Sequence, residues 1–555
     1  MPHKISYRDC LSIFGFSFLG SLAFVGCQLI PPYQGPCTPT PGEWKTPSLH
    51  SNMPSDWKSE MENSNQTNDH PHSDSASCNP EEQQQALFSE CKENFENWWE
   101  VFNDPVLNQL EEQALNSSYT LKAALQRVIE ARAQAWISRA ALAPAINFAP
   151  SFSRSGSLIQ NPIPGGLGTG TTGTQPTVQA GSSSSGAGGT AGSTSLPSEF
   201  RFVQSQYLLP LDLSYEVDLW SRLTNTYEAA LIRAQASLED YYSVLLTLTA
   251  DVASHYFQMR DLDAQQVVLE KTIQARRRAY EINLARFKAG LIVYLDVSRA
   301  EVELARAESD SIDIRRQRGL EENMIASLVG VPAPVFSLDF NPLYTPPPLI
   351  PAGLPSDLLI RRPDIARAER NLAAAYADIA VAYTNFFPSI NLTAAIGLES
   401  PFAHSLFSWK ARFWEVGLNI MQTVFDAGRN EANLIYYKAK FRELLANYQE
   451  VVLTAFQDVE DSLTDIRERA FQSQALTVAV RAARETLNLS ELRYNQGLVN
   501  YLDVVDAERT LLETEQNSVI VLGDRYLSTI RLIKSLGGGW GRITEAEECD
   551  ACLIK

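Results

Sequence analysis

The sequence predicts a membrane protein of mixed α/β class, in which four amphipathic strands per chain are pooled among copies into a barrel and long helical hairpins form a tube on it. Three observations carry this. One unit is written twice along the chain; each copy holds strand-period ribbons about ten residues long; each also holds a proline-free stretch far longer than an ordinary helix.

The repeat is clearest at "FKAGLIVYLDV", residues 287–297, against "YNQGLVNYLDV", residues 494–504. The glycines Gly290 and Gly497 are 497 − 290 = 207 apart, and the same shift pairs Arg286 with Arg493, Asp296 with Asp503, Ala300 with Ala507 and Glu301 with Glu508. It also sets Arg222 of "DLWSR" on Arg429 of "FDAGR". Upstream, "ALAPAINF" matches "NFFPSINL" with Pro144 on Pro388, a shift of 388 − 144 = 244. The excess, 244 − 207 = 37 residues, falls where the first copy carries a Gly/Ser-rich tract with too few apolar groups to pack. The first copy therefore has an enlarged loop.

Period identifies the elements. Leu107, Leu110, Ala114, Leu121, Ala124, Leu125 and Val128 keep helical spacing up to Pro144. Ile146, Phe148, Pro150 and Phe152 then alternate with polar or small residues, as do Leu209, Leu211, Leu213, Tyr215, Val217 and Leu219. The second copy repeats this at Ile390, Leu392, Ala394, Ile396 and Leu398, and at Trp414, Val416, Leu418 and Ile420. Such ribbons fit strands with one face in lipid and one in water, and equally a soluble sandwich. The helices decide. Arg222 to Gly290 spans 290 − 222 = 68 residues and Arg429 to Gly497 spans 497 − 429 = 68, neither holding a proline. Each can extend roughly 100 Å. A second helix follows each glycine, at about 294–330 and about 500–536. An apolar stripe through Tyr448, Val452, Ala455, Val459 and Leu463 predicts close helix pairing. Two strand hairpins give four strands, and a membrane barrel needs about eight. Open edges in hydrocarbon leave backbone groups unpaired, so the chain must oligomerise: eight strands for a dimer, twelve for a trimer.

Composition narrows the classes. With 555 residues and 45% hydrophobic content there is chain for two domains and a real core, while a net charge of −19 argues against nucleic acid. At the amino terminus Lys4 and Arg8 precede the apolar run 11–26, which has the length of a signal-peptide core and is too short for a comfortable span. No later run predicts a helical span. "FVGCQ" resembles a bacterial lipobox, implying cleavage before Cys27 and lipidation there; the alternative is a plain secretory signal with a chance cysteine. Gln28 after it suits, by the same resemblance, delivery to an outer membrane. Of the seven cysteines, Cys37, Cys78, Cys91, Cys549 and Cys552 lie in the two tails; the CxxC at 549–552 has no βαβ context and is taken as a local disulfide or free pair. His70 and His72 sit in a polar tract, about 38–92, with nothing to fix a metal geometry. No cofactor or metal is expected. No Ser/His/Asp constellation or phosphate loop falls on an ordered segment, so an enzyme is disfavoured.

Six segments in order, "NWWEVFNDPVLNQLEEQAL", "SYEVDLWSR", "LLIRRPDIARAE", "FFPSINLTAAIG", "QTVFDAGR" and "YNQGLVNYLDVVDAERTLL", make the chain from Trp98 to about Gly537 resemble the TolC family of outer-membrane efflux ducts, in its lipid-anchored NodT/OprM-like branch. The resemblance implies a homotrimer with a twelve-stranded outer-membrane β-barrel continuous with a long periplasmic helical barrel and a mixed equatorial region. The implied activity is the exit duct of a tripartite efflux system, with a periplasmic adaptor (membrane fusion) protein, an inner-membrane pump of RND type, and outer-membrane lipid as partners. Type I protein secretion is the alternative within that class, and a trimeric coiled-coil surface protein the alternative outside it.

The expected organisation is a signal peptide at 1–26, a lipidated and polar segment at 27–95, a first repeat at 96–340, a second at 341–537 and a tail at 538–555. The first repeat holds a hairpin at about 145–220 with a loop insertion at 156–199, and the second a hairpin at about 389–424. The resemblance makes the glycine turns the periplasmic tips, where Gly290 and Gly497 take the left-handed conformation and Leu291 and Leu498 offer an adaptor an apolar grip. By the same resemblance Asp503 and Asp506 match lumen-facing gate carboxylates, Tyr494 a gate tyrosine and Asp296 the first-repeat partner. Val499 stands where a gate arginine is expected, and Arg299, the counterpart of Asp506, is a substitute ion-pair former. Aspartates in a first helical turn are also favourable simply through the helix dipole, which covers Asp296 and Asp503 as well.

Overall fold

The structure, a computed structural model, describes residues 31, 33, 35, 36, 97–160, 199–350 and 358–538. The signal sequence, Cys27, the polar tract and the CxxC lie outside them. In chain order the elements are α1 (Pro105–Ser117), α2 (Tyr119–Ala140), β1 (Ala145–Phe148), β2 (Ser151–Gln160), β3 (Glu199–Glu216), α3 (Arg222–Lys288), α4 (Tyr294–Val329), α5 (Leu358–Arg361), α6 (Pro363–Thr384), β4 (Ser389–Ser400), β5 (Arg412–Met421), α7 (Arg429–Asn495) and α8 (Tyr501–Ser535). They form two compact units: a strand unit from 139–223 and 385–427, and a helical unit from most of the rest.

In the strand unit the ribbons follow the order β1/β2, β3, β4, β5, every pair antiparallel. β1 and β2 are one ribbon in continuous register with β3, Phe148 opposite Leu211 and Ser151 opposite Leu208, interrupted at Ala149–Pro150 because proline has no N–H to donate. The alternation through Pro150 thus marks the right face but not an unbroken ladder. Pairing runs on from Gly156 to Gln160 opposite Glu199–Val203, so strand occupies the first residues of the tract expected to be loop from 156. The two hairpins join through β3 and β4, where Pro210 faces Gly397. Only glycine fits there: a Cβ at 397 would lie 2.2 Å from the Leu209 carbonyl oxygen.

Register sorts the side chains. Ile146, Leu213, Ala394 and Val416 stand in one row across the sheet, and Phe148, Leu211, Ile396 and Trp414 in the next. The intervening row is Asn147, Asp212, Ala395 and Glu415. A period of two with aligned registers therefore yields one apolar and one polar face. The apolar face is bare: Trp414 is 78% exposed and Val416 71%. No second sheet covers it among the described residues, which removes the sandwich reading.

The helical unit is built from two hairpins, α3–α4 and α7–α8, with α1, α2 and α6 packed beside them. α3 and α7 are each 67 residues long, as the equal proline-free intervals require. Along α7 the stripe of Tyr448, Val452, Ala455, Val459 and Leu463 is buried with Ile365, Leu532 and Leu536. A larger core gathers Trp98, Trp99, Leu107, Tyr256, Phe257, Ile325 and Tyr526. Phe257 lies stacked on Tyr526 at 4.4 Å, with Phe102 against both. Asp104 fixes this core twice. Its Oδ1 caps α1 by accepting from Val106 N (3.0 Å), and its Oδ2 accepts from Tyr256 OH (2.8 Å) and Arg260 Nη1 (2.6 Å) on α3. "RRPD" starts α6 with Pro363 at its first position, and Arg362 also binds Asp364 (2.7 Å), Asp458 (3.1 Å) and the Ser535 carbonyl (3.1 Å), tying α6, α7 and α8 together. The described helices contain none long and apolar enough to cross a membrane.

Candidate functional site

Each long helix ends at its glycine in the same way. Gly290 has φ 75° and Gly497 φ 74°. Leu291 N donates to Arg286 O and Gly290 N to Phe287 O; in the second copy Leu498 N donates to Arg493 O and Gly497 N to Tyr494 O. These paired bonds satisfy carbonyls that a helix end leaves open, and they need a residue free to adopt positive φ. A Cβ at either glycine would touch nothing within 4 Å, so the requirement is backbone conformation rather than space. The turn throws Leu291 (73% exposed) and Leu498 (65%) outward, together with Val293, Tyr294 and Leu295 in the first copy.

The residues matched to a gate gather just behind these turns. Tyr494 bridges the hairpins: its hydroxyl donates to Asn283 Oδ1 on α3 (3.3 Å), its ring lies beside Tyr501 (5.5 Å) and under Arg286 (5.2 Å). Ala300, Tyr501, Val504 and Val505 form a small apolar core there. Asp503 and Asp506 are exposed, and Asp296 is half-buried in the first turn of α4. Arg299 pairs with Asp296 on its own helix (3.6 Å), while Asp506 has Arg509 at 3.8 Å. Within this chain Arg299 thus serves its own repeat.

A second cluster carries no local sequence signal. Glu303 on α4 is almost fully buried and collects Arg276 (Nη1 to Oε2, 3.4 Å), Arg306 (3.5 Å) and a hydrogen bond from Arg509 on α8. Burial pushes its carboxyl up, but the Arg509 bond and the charges of Arg276, Arg509 and Arg306 outweigh it and hold the group below the ordinary carboxylate range. Arg276 donates as well to the Glu303 carbonyl (2.8 Å). Partners 509 − 303 = 206 residues apart could have been suspected only from the repeat, which sets these helices side by side. No three His, Cys, Asp or Glu side chains converge as a metal site among the described residues.

A sheet with a bare apolar face whose outer ribbons, among the described residues, each pair on one edge only, in one chain with helical hairpins that end in apolar tips, fits a channel protein of the outer membrane. The chain belongs to the outer membrane efflux protein family, whose sequence model matches residues 110–331 and 354–538. It is similar to the toluene efflux pump outer membrane protein TtgF of Pseudomonas putida, with 30% identity covering 94% of this chain and 96% of that one. It is 32% identical to the pyoverdine export outer membrane protein OpmQ of Pseudomonas aeruginosa, over 80% of this chain and 87% of the relative. Among solved structures it resembles the outer-membrane channel OprN (TM-score 0.70, 28% identity, 80% of this chain and 93% of that chain). The open state of the Neisseria gonorrhoeae MtrE channel is also similar (TM-score 0.65, 28% identity, 80% and 91%). The protein is accordingly an outer-membrane efflux component of a Gram-negative bacterium, in a family of channels rather than enzymes.

Proposed function

We propose that three copies form the exit duct of a tripartite efflux system that passes small molecules of the kind named for the relatives, toluene, antibiotics or pyoverdine, from an inner-membrane pump of RND type to the exterior. The observation that carries the assembly is the sheet. The β1/β2 ribbon and β5 each pair on one edge only, among the described residues, while the apolar face lies bare. In lipid, unpaired edges are too costly to persist, so copies complete one another, and three supply 4 × 3 = 12 strands. The Leu291 and Leu498 tips are the adaptor contacts. Asp503 and Asp506, exposed behind the tips, give six carboxylates per trimer (2 × 3) that favour cations at the entrance.

Lipidation of Cys27 belongs to the same reading. Its support is the segment just after it, held on α6: Tyr376 OH donates to the Pro31 carbonyl (2.9 Å) and Tyr33 packs against the Tyr376 ring. Acyl labelling lost in Cys27→Ala is the expected result, and labelling retained removes the anchor. For the duct, the purified protein should run as a detergent-resistant trimer and conduct in planar bilayers with cation preference, weakened in Asp503→Asn/Asp506→Asn. A monomer that passes no current defeats the reading. Loss of the gene should sensitise cells to solvents or antibiotics, and Leu291→Asp/Leu498→Asp should reproduce that phenotype with trimers intact.

A further inference from the structure

α3 and α8 lie antiparallel inside the helical unit. Asp251 meets Lys534 (3.6 Å), Phe257 stacks on Tyr526, Asp261 meets Gly523, and nearer the tips Glu508 senses the charge of Arg276. α3 belongs to the first copy of the repeat and α8 to the second. The seam therefore joins the two hairpins.

Two carboxyls in it each keep one oxygen without a partner. Asp261 Oδ1 and Glu508 Oε2 are both shut off from solvent with no hydrogen bond; the other oxygen of Asp261 accepts from Gln265 Nε2 (2.8 Å). Asp261 occupies a place made for it. A Cβ on Gly523 would stand 2.5 Å from the Asp261 Cγ, so the glycine yields its side-chain volume to the carboxyl.

The charges around them do not neutralise them. Facing Asp261 are Gln265 on its own helix and Asp524 on α8, whose cation, Arg469 of α7, is spent on Asp524 itself (2.5 Å). Around Glu508 stand Arg276 of α3, Glu303 of α4, Glu491 of α7, and Tyr501 and Arg509 of its own helix. Arg276 and Arg509 are both committed to Glu303. Burial raises Asp261 to about 7, with the Gln265 bond opposing and Asp524 adding. Burial likewise raises Glu508 to about 7, with Arg276 opposing and Glu491 and Glu303 adding.

We propose that the α3–α8 seam is an acid-strengthened latch between the two hairpins: with Asp261 and Glu508 protonated the helices stay packed, and their ionisation releases α8 from α3. The packed state binds protons that the separated state, with ordinary carboxylates, gives up near pH 4. The latch is thus strongest below the ordinary carboxylate range, weakens as pH rises from there to about 7, and changes no further above that. Each group contributes at most about ten-fold per pH unit to the separation equilibrium within that window. Two groups near neutrality make the seam responsive over the acidic side of the range an external compartment meets. The consequence for flux rests on the duct reading; the latch itself does not.

Backbone hydrogen exchange of the full-length protein tests this, read over residues 504–530 and corrected for the intrinsic pH dependence of exchange. Opening of the seam should be about ten-fold or more greater at pH 8 than at pH 5 in the wild type, and equal at both in Asp261→Asn/Glu508→Gln. An undiminished pH dependence in that variant, or none in the wild type, overturns the proposal. If the double variant does not assemble, Asp261→Asn and Glu508→Gln singly should each remove part of the dependence, and full retention in both is equally fatal. Conductance separates the two readings. The exchange pattern without current at any pH upholds the latch and defeats the duct, whereas current with a pH-independent seam upholds the duct and defeats the latch.

Discussion

In the strand unit the apolar side chains of Trp414, Val416, Leu418 and Phe148 are exposed, whereas in the helical unit Tyr256, Phe257, Leu269 and Ile325 are sealed inside. Both units obey the same hydrophobic effect and differ in what stands outside them. For the strands the missing half of the core is hydrocarbon; the helices bury a core of their own within the chain, although Trp136 and Leu453 on the same helices stay outside it. The comparison teaches that burial is a property of a residue and its solvent together, so the same chain can hold exposed tryptophan and buried carboxyl without contradiction.

Substitutions should separate the two regimes. Phe257→Ala, which empties the stacked aromatic centre, should cost about 3–5 kcal/mol in thermal or denaturant unfolding of the helices. Asp104→Ala removes a helix cap and leaves Arg260 without its carboxylate, and should cost about 3 kcal/mol in the same measurement. Trp414→Lys should do the reverse of both, lowering partition of the sheet into bilayers by about 2 kcal/mol or more while leaving helix unfolding unchanged. If it destabilises the helices as much as Phe257→Ala does, the division into two solvents is wrong. The smallest effect belongs to Gly497→Ala, about 1–2 kcal/mol from positive φ alone, because its new methyl meets nothing. Gly330→Ala should exceed it, since there the Cβ would sit 2.9 Å from the Ser117 carbonyl oxygen.

Much of the fold was legible because its signals are periodic or local. Alternation at 390–398 and 414–420 falls within β4 and β5, and the proline-free intervals match the two 67-residue helices. Gly290 and Gly497 announced left-handed helix ends, which positive φ and the paired backbone bonds bear out. The ribbon break at Pro150 was masked by its fitting the apolar parity. What escaped reading depends on contacts between distant segments. Nothing near Glu303 foretells Arg509, nothing near Asp261 foretells Gly523, and Asp104 looks like a cap until Tyr256 and Arg260 arrive from α3. Arg299, the first-copy counterpart of Asp506, forms its ion pair within this chain with Asp296, one turn away, a partner that the register of the repeat does not point to.

The unequal tolerance of the two copies to added chain has a further consequence. The first copy absorbed 37 extra residues across its strand hairpin, between Pro144 and Arg222, yet α3 and α7 have kept the same length to the residue. One residue added to either would advance its leucine knob about 1.5 Å and swing it about 100° around the axis. Length here acts as a ruler, and indels should be admissible in these helices only in multiples that restore the phase of the stripe, near seven.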